Sequence, residues 1–471
     1  MASQEQDLHF ESFVHLVDVT DQSALVAWGG FFLRQGDDGW SVVDDDDLPD
    51  GRTAAGTIGV ESAPYGPAVV DVLDGDRVVA SASTADRNHV WVEDLEPDRE
   101  YRYRITVDGE PWAAGECWDW QLGADGEVGG LAPSGRRYDC RLRTHPADDD
   151  AVPVAVLALG DYGVGITNGE DGRRQLAVAR TMERLMATHL VRAIVTLGDN
   201  IYHGEEDKLA QSGDEDDDWF FTFYAPYRYL IDHLPVYPTA GNHDGADEEA
   251  NDDRAQLADN FHLESRFSRA KAAGRASRDP GLFYRLRIGR LLELVCIDST
   301  FGDDEGHHFF DDDEHRSWLD ETFPTPGADG APRWQIPFSH HPAWSAGPDH
   351  DGMVEQFDRL VPLYERAGVR LVLAGHEHNF QHGRYGDLHH VVAGAGGKLD
   401  TERPTRWSEG GADAWAGTAH CLLIDADPDR LTVSPFGEPG PDGEPVPLVA
   451  EDAHGRAVDG AFVIGQMPNE A

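Results

Sequence analysis

The pattern of apolar and polar positions changes character near residue 150. Before that point, short alternating stretches such as SALVAWGG, RVVASAS, HVWVEDL and EYRYRITV are separated by Gly, Asp and Pro. Alternation with a period of two residues is typical of half-buried strands, and such punctuation marks the turns between them. The pattern therefore predicts an all-β sandwich domain over residues 1–147, followed by the charged, unperiodic linker RLRTHPADDDAVP.

From residue 152 onwards, continuous apolar runs alternate with segments of helical spacing. VPVAVLALGDYG and VRAIVTLGDN are runs of the kind found in strands buried on both faces, whereas QLAVARTMERLMATHL repeats its apolar residues at helical intervals. This alternation predicts an α/β domain over residues 152–437. The remaining residues, 438–471, are rich in Pro, Gly, Asp and Glu, and we predict an acidic tail without firm structure.

Five successive apolar runs of the α/β region end on residues of metal-binding types. In open α/β sheets, functional groups collect beyond the carboxyl ends of the strands. Any one of these residues alone is explained by turn chemistry or by a hydrogen-bonded histidine, but their joint occurrence at five strand ends is not. The residues are Asp161; Asp199 and Tyr202; Asn242 and His243; His340; and His376 and His378.

Seven of these residues are candidate ligands, which is more than one ion needs. A set of this size suits two ions roughly 3.5 to 4 Å apart. Because two adjacent cations repel each other, a carboxylate shared between them is required, and Asp199 is the candidate bridge. The predicted ligands are Asp161, Asp199, Tyr202, Asn242, His340, His376 and His378.

The same residues carry a family resemblance. DxG at 161–163, GDxxY at 198–202, GNHD at 241–244, a strand ending in His340 and GHEH at 375–378 resemble the five ordered blocks of the purple acid phosphatases, within the calcineurin-like metallophosphoesterase superfamily. LGDNIYHG and LAGHEHNFQH are similar to the mammalian-type, tartrate-resistant branch. The β-rich region resembles the fibronectin-III-like domain of plant-type enzymes. The resemblance implies an α/β fold, a four-layer αββα sandwich, preceded by that all-β fibronectin-III-like sandwich.

The resemblance also implies how the ligands are divided between two metals. A phenolate is a hard anionic donor suited to Fe(III), whereas one amide and two imidazoles suit a divalent ion such as Zn, Fe or Mn. The implied activity is that of an acid phosphatase, which hydrolyses phosphomonoesters by in-line attack of hydroxide at a binuclear centre. The first metal takes Asp161, Asp199, Tyr202 and His378; the second takes Asp199, Asn242, His340 and His376.

Two further histidines are candidate catalytic residues. His243 resembles the family histidine that contacts phosphate, and His350 is the candidate general acid for the leaving group. The spacing from His340 to His350 is one residue longer than in the mammalian-type pattern, so a surface-loop role for His350 is the alternative. His203 and His341 adjoin ligands but match no family histidine, and neither is assigned to the metals.

Two other functions remain as alternatives. A phosphodiesterase acting on nucleotide-type diesters would use the same two-metal core, although Tyr202 favours the purple acid phosphatase. A protein of a different class, a binding or adhesion protein with an inert metal centre, is opposed by the presence of all seven ligands. Turnover of a phosphoester with both metals loaded separates these alternatives.

The composition of the chain restricts the classes of molecule that it is expected to bind. The net charge is -50, from 88 acidic against 38 basic residues, which predicts adaptation to high salt, where the Debye length falls to about 3 Å. A charge of this sign argues against nucleic acid or an anionic membrane as a partner, because both are negatively charged. The expected partner is a small phosphorylated substrate. The oligomeric state is undetermined. The start MASQEQDLHF lacks a signal-like segment, so we expect a cytoplasmic location, with export left open. Pairing of Cys117 with Cys140 is also left open.

Overall fold

The computed structural model describes most of the chain. The described residues are 8–36, 39–43, 65–122, 128–166, 169–202, 219–244, 251–272, 283–300, 313–323 and 333–465. His203 lies outside these ranges. Within them, no helix is long and apolar enough to cross a membrane, and all four cysteines are free thiols.

The first 143 residues contribute strands alone, as far as they are described. These are β1 (Leu8–Val19), β2 (Ala24–Gly36), β3 (Gly39–Val42), β4 (Ala68–Asp74), β5 (Arg77–Thr84), β6 (His89–Val92), β7 (Glu100–Val107), β8 (Glu110–Pro111), β9 (Trp118–Leu122), β10 (Val128–Pro133) and β11 (Arg141–Arg143). One antiparallel sheet has the order β1-β2-β3, with β6 also paired to β2, and a second has the order β11-β7-β4-β5, with β8 on β7. Strands β9 and β10 form a separate hairpin.

The two sheets face each other across an apolar core. Val26 and Trp28 of β2 pack in one cluster with Val70 of β4 and Tyr103 and Ile105 of β7. In β7 the buried residues alternate with exposed ones, because successive side chains of a strand point to opposite faces. The strands predicted from the alternating apolar pattern therefore form a sandwich of two sheets.

The rest of the chain forms two further sheets and six α-helices among its described residues, together with the π-helix Phe220–Tyr224 and the 3₁₀ turn Asn242–Asp244. The helices are α1 (Gly169–Thr188), α2 (Arg228–Ile231), α3 (Asn251–Asn260), α4 (Leu263–Ala272), α5 (Asp313–Thr322) and α6 (Val354–Ala367). The strands are β12 (Val154–Leu159), β13 (Val191–Thr196), β14 (Val236–Tyr237), β15 (Tyr284–Ile288), β16 (Leu292–Cys296), β17 (Trp334–Ser339), β18 (Leu371–Ala374), β19 (Phe380–Tyr385), β20 (Leu388–Ala393), β21 (Ala412–Ala416), β22 (His420–Ala426), β23 (Arg430–Gly437), β24 (Val449–Glu451), β25 (Ala457–Asp459) and β26 (Phe462–Gly465).

The strand order brings several carboxyl ends to one edge. The six-stranded sheet has the order β14-β13-β12-β22-β23-β26, and the nine-stranded sheet has the order β15-β16-β17-β18-β20-β19-β21-β24-β25. Strands β12, β13 and β14 run parallel, as do β16, β17, β18 and β20. Parallel neighbours end on the same side, so the residues that follow them become neighbours in space.

Helices cover the outer faces of the two sheets. In β16, Leu292 and Leu294 belong to the core between the sheets, whereas Val295 packs in another cluster with Leu319 of α5 and Leu360 of α6. Helix α1 packs against β22 and β23 of the six-stranded sheet. The region is thus a mixed α/β fold in which apolar runs are buried on both faces.

The β sandwich is docked onto the catalytic region by buried contacts. The ring of Phe13 lies 4.3 Å from that of Tyr224, and Arg228 Nη1 lies 2.6 Å from Glu11 Oε1. Both members of this ion pair are buried, and removing one partner from such a pair costs about 3–5 kcal/mol. Phe13 therefore belongs to the same apolar cluster as the buried residues of the two α/β sheets.

Residues beyond 437, for which the sequence predicts no firm structure, complete both sheets. Strand β26 pairs with β23, and β24 pairs with β21. Leu448, Ala450 and Ile464 are at most 4% exposed. Their apolar side chains are isolated among Pro, Gly and acidic residues, which is why no strand periodicity is visible in the sequence.

Candidate metal centre

The parallel strands bring all seven predicted ligands together. Asp161 follows β12 and Asp199 follows β13, each directly after a glycine and each buried. Asn242 begins the single 3₁₀ turn Asn242–Asp244 after β14. The three histidines come from the second sheet, His340 after β17 and His376 and His378 after β18.

Close packing at the strand ends requires an unusual backbone. Asp161, Asp199 and His376 have φ values of 56°, 49° and 71°, in the left-handed region that side chains with a Cβ rarely adopt. Gly198, at φ 89°, precedes one of them, and a Cβ there would lie 2.3 Å from His340 Nδ1. The strand ends are therefore strained in order to aim ligand atoms inward, a feature that clusters at functional sites.

The first group of ligands surrounds the Tyr202 hydroxyl. Its oxygen lies 3.3 Å from Asp161 Oδ1 and 3.3 Å from His378 Nε2. His378 Nε2 in turn lies 3.4 Å from Asp161 Oδ1. The carboxylate of Asp199 belongs to the same cluster, since its ligand atom and those of Asp161 and His378 lie within 4.8 Å of one another.

The second group surrounds the Asn242 amide oxygen. His340 Nε2 lies 2.8 Å from Asn242 Oδ1, and His376 Nδ1 lies 3.1 Å from both of these atoms. Asp199 Oδ1 lies 3.4 Å from His340 Nε2. The Asp199 carboxylate thus lies close to both groups.

The donor set fits bound cations. His340 Nδ1 lies 2.8 Å from the backbone oxygen of Leu197, so Nδ1 carries a proton and, in the neutral ring, Nε2 presents a lone pair to Asn242 Oδ1. A histidine held this way through its other nitrogen is the usual arrangement of a metal ligand. Lone pairs that converge at this distance are stabilised when they share a positive ion.

The electrostatics of the centre point in the same direction. Burial raises the pKa of the Asp161 carboxyl and raises that of the Tyr202 phenol well above its usual value. Burial alone would also raise the pKa of Asp199, but the charges of His340 and His243 lower it below its usual range. Burial, followed by the neighbouring histidines, strongly lowers the pKa of His376. Ionised Tyr202 therefore needs a cation beside it.

Both predicted catalytic histidines lie beside the ligands. The backbone N–H of His243 donates to Asp199 Oδ1 at 3.0 Å, and the ring of His243 lies 4.5 Å from that of Tyr202. The ring of His350 lies 4.0 Å from that of His376. Burial, followed by the charge of His378, lowers the pKa of His350.

Three residues that sequence reasoning did not assign also line the centre. His341 is hydrogen-bonded to Ser299 Oγ at 3.0 Å, and its ring lies 4.4 Å from that of His376. Lys398, one of only three lysines in the chain, places Nζ 4.9 Å from the centroid of the Tyr202 ring. The rarity of lysine in this sequence was the available sign that Lys398 has a function, but only the fold shows that it lies beside Tyr202.

The third residue, Glu377, supports the His350 loop from inside the GHEH block. Its buried carboxylate accepts hydrogen bonds from the backbone N–H of His350 at 2.6 Å and from Asn379 Nδ2 at 3.0 Å.

Asp244 supports the loop that carries Asn242 in a similar way. Its carboxylate accepts a hydrogen bond from the backbone N–H of Gly241 at 2.7 Å. Burial, followed by the charge of Asp199, raises the pKa of Asp244 to about 7.

Comparison with known proteins agrees with this architecture. Residues 154–380 match the family model described as calcineurin-like phosphoesterase. An uncharacterized protein of Mycobacterium tuberculosis is 25% identical over 377 residues, which cover 78% of this chain and 63% of that relative's length. Rabbit tartrate-resistant acid phosphatase type 5 is 26% identical over 281 residues, covering 54% of this chain and 77% of that protein.

Solved structures share the fold over nearly the whole chain. A structure of PhoD superposes with a TM-score of 0.60 at 11% identity, covering 97% of this chain and 92% of that one. The purple acid phosphatase PPD1 from yellow lupin seeds superposes with a TM-score of 0.56 at 14% identity, covering 96% and 74%. The chain therefore contains a calcineurin-like metallophosphoesterase domain and has purple acid phosphatases among its structural neighbours.

Proposed function

We propose that the protein hydrolyses phosphomonoesters at a binuclear metal centre, as an acid phosphatase. The observation that carries the proposal is the buried Asp199 carboxylate, which contacts two separate groups of potential ligands. A single metal site has no need of a shared carboxylate, whereas two adjacent cations do. The tartrate-resistant acid phosphatase relatives support the same reaction class.

The ligand groups support different metals. Tyr202 offers a phenolate, so its group suits Fe(III), and the group around Asn242 offers an amide and two imidazoles, which suit Zn(II), Fe(II) or Mn(II). When bound, the two cations supply Lewis-acid activation of water and of the phosphoryl oxygens. The His340 bond to the Leu197 carbonyl holds the ring nitrogen in the orientation that binding requires.

The chain's own side chains position the substrate and move a proton. His243 and Lys398 lie on the Tyr202 side of the centre, where they contribute hydrogen-bond donors for phosphate oxygens. His350, whose ring lies 4.0 Å from that of His376, donates a proton to the leaving oxygen. Two donors on the Tyr202 side favour the additional negative charge of a monoester over a diester.

The test of the reaction compares an aryl phosphomonoester with the matching diester. We expect kcat/KM for the monoester to exceed that for the diester, and Asp199→Asn to lower the monoester rate by at least about 10³-fold, because the shared negative charge is lost. Asp413→Asn, a change to an exposed carboxylate, is the matched control. A preference for the diester would make the protein a phosphodiesterase. The absence of any turnover with both metals loaded would support the inert binding protein.

Visible spectroscopy tests the metal assignment. A preparation loaded with iron is expected to be coloured by charge transfer from the Tyr202 phenolate to Fe(III), and Tyr202→Phe to lose that band. Tyr385→Phe, on a half-exposed tyrosine of β19, is the control and should keep it. A band unchanged by Tyr202→Phe would show that the tyrosine does not bind the iron.

The N-terminal region supports the proposal of a fibronectin-III-like domain. Strands β1, β2, β3 and β6 form one sheet of four strands, and β5, β4, β7, β11 and β8 form the facing sheet of five. Two antiparallel sheets packed face to face are the arrangement of immunoglobulin-like sandwiches. Adaptation to high salt remains a prediction from composition, and full activity in dilute buffer would contradict it.

A further inference from the structure

A cavity of about 300 Å³ lies between the β sandwich and the catalytic region, away from the metal centre. The end of β1, the turn after it and the linker after β11 form one wall, with Asp18 and His145 among their residues. Helix α4 and strands β14 and β15 form the other wall, with Arg266 and Tyr237. A space of this size holds a molecule of about ten non-hydrogen atoms, given roughly 30 Å³ for each water in the liquid.

Arg266 is the most unusual lining residue. It is 1% exposed, its guanidinium lies 4.6 Å from the centroid of the Tyr237 ring, and its Nη2 donates to the backbone oxygen of Val17. Its Nε and Nη1 have no hydrogen-bond partner, and no described carboxylate forms an ion pair with it. A buried guanidinium with unpaired donors costs free energy of folding unless an anion binds to it.

A second buried side chain in the cavity wall has unmet hydrogen-bonding capacity. His145 is 2% exposed, and neither of its ring nitrogens has a partner. Burial, followed by the charge of Arg192, lowers the pKa of His145 to about 3, so the ring is neutral and offers one donor and one acceptor. The two walls of the cavity therefore each present an unsatisfied polar group.

Three arginines and four acids line the cavity. The other two arginines are Arg285 and Arg287, and Arg287 donates to the backbone oxygens of Gly289 and Asp148 at 3.1 and 3.4 Å. Of the acids, Asp18 accepts the Tyr237 hydroxyl at 2.5 Å and Glu293 accepts Gln335 Nε2 at 2.7 Å, and the other two are Asp21 and Asp148. The feature of the lining that favours an anion is therefore Arg266, the buried arginine with unpaired donors.

We propose that this cavity is a binding site for a small polyvalent oxyanion, a phosphate or a carboxylate, held through Arg266. The ligand would bind both walls and so fasten the sandwich to the catalytic region. Tyr237 closes strand β14, and Asn242 of the metal centre follows five residues later, so the site adjoins the segment that carries a predicted ligand.

Thermal unfolding of the full-length protein tests the site, with inorganic phosphate and succinate as separate probes in a constant background of 2 M KCl. A saturating probe at about 100 times its Kd is expected to raise the Tm by about 3 °C. Asn242→Ala, which disables the predicted metal centre, should keep this shift, and Arg266→Gln should abolish it. Because the Asn242→Ala protein is not expected to hydrolyse phosphoesters, the test is independent of the proposed activity.

Arg285→Gln is the second variant, since a half-buried residue is replaced with less risk to folding than Arg266. It should weaken binding of the effective probe at least about fivefold and leave phosphatase activity unchanged. A shift with phosphate alone identifies a phosphate site, and a shift with succinate identifies a carboxylate site. No shift with either probe, a shift that survives both arginine changes, or one that vanishes in Asn242→Ala would overturn the proposal.

Discussion

At the scale of single residues, the centre depends on backbone conformations that most residues avoid. Asp161, Asp199 and His376 adopt positive φ, and an aspartate tolerates this better than a bulky residue because its short side chain bonds locally. Gly198 lets the chain pass within contact distance of His340. Three of the predicted metal ligands are therefore also residues whose backbone is strained.

The Gly198→Ala change tests this dependence. The added Cβ would lie 2.3 Å from His340 Nδ1 at a φ of 89°, so we expect a loss of at least about 3 kcal/mol of unfolding free energy and lower metal content. Gly386→Ala is the matched control: its φ is also positive, at 60°, but nothing lies within 4 Å of the added Cβ, so the cost should be about 1 kcal/mol. Urea unfolding and metal analysis measure both. Equal effects of the two changes would refute the steric explanation.

At the scale of elements, the carboxyl-terminal segment belongs to the catalytic sheets. Strand β26 extends the six-stranded sheet next to β23, and β24 lies beside β21 in the other sheet. Alternate residues of β26 face opposite ways, so Ile464 is 1% exposed while its neighbour Val463 is 59% exposed. This segment therefore stabilises the domain through a few buried side chains.

Substitution of two adjacent residues in β26 tests its contribution. Ile464→Ala should lower the unfolding free energy by about 2–4 kcal/mol, because it leaves a cavity beside β23. Val463→Ala, on the exposed face of the same strand, should change it by about 0.5 kcal/mol or less. Denaturant unfolding monitored by fluorescence measures both. A similar loss for both residues would contradict the burial that separates them.

At the scale of the whole molecule, the sandwich and the catalytic region meet through buried histidines. His89 and His145 are 8% and 2% exposed, and His89 Nε2 is hydrogen-bonded to Ser265 Oγ across the contact at 2.7 Å. Burial, then Arg87, lowers the pKa of His89 to about 4 despite the opposing charge of Asp86, and that of His145 is lowered to about 3. The folded molecule holds both rings neutral.

The interface is therefore expected to weaken in acid. Above the unfolded pKa of about 6.5 both states are neutral, whereas below it only the unfolded chain takes up these protons, so stability falls as the pH drops towards 4 and 3. At pH 5 each histidine should cost about 2 kcal/mol. His145→Leu should reduce the slope of unfolding free energy between pH 7 and pH 5, whereas replacement of the exposed His454 by Gln should not. An unchanged slope in His145→Leu would show that His145 does not titrate on unfolding.

The local spacing of apolar residues predicts much of the fold, because the periodicity of a strand or a helix is visible within a few neighbouring residues. The runs before Asp161 and Asp199 are the buried strands β12 and β13, and the segment QLAVARTMERLMATHL lies in α1 except for its last two residues. Periodicity failed after residue 437, where β24 to β26 are only three or four residues long. Strands that short are stabilised by the sheets they join, and that information lies elsewhere in the chain.

The sequence by itself determined the alternation of elements and the polar residues at their ends, from which a common site was expected, since parallel strands end on the same side of a sheet. Only the tertiary structure decided that Asp199 lies close to both ligand groups, that Lys398 lies beside Tyr202, and that Arg266 is buried with its Nε and Nη1 unpaired. The physical reason is separation along the chain. Asp18 and Tyr237 stand 219 residues apart, yet they share a hydrogen bond, and no local pattern encodes such a contact.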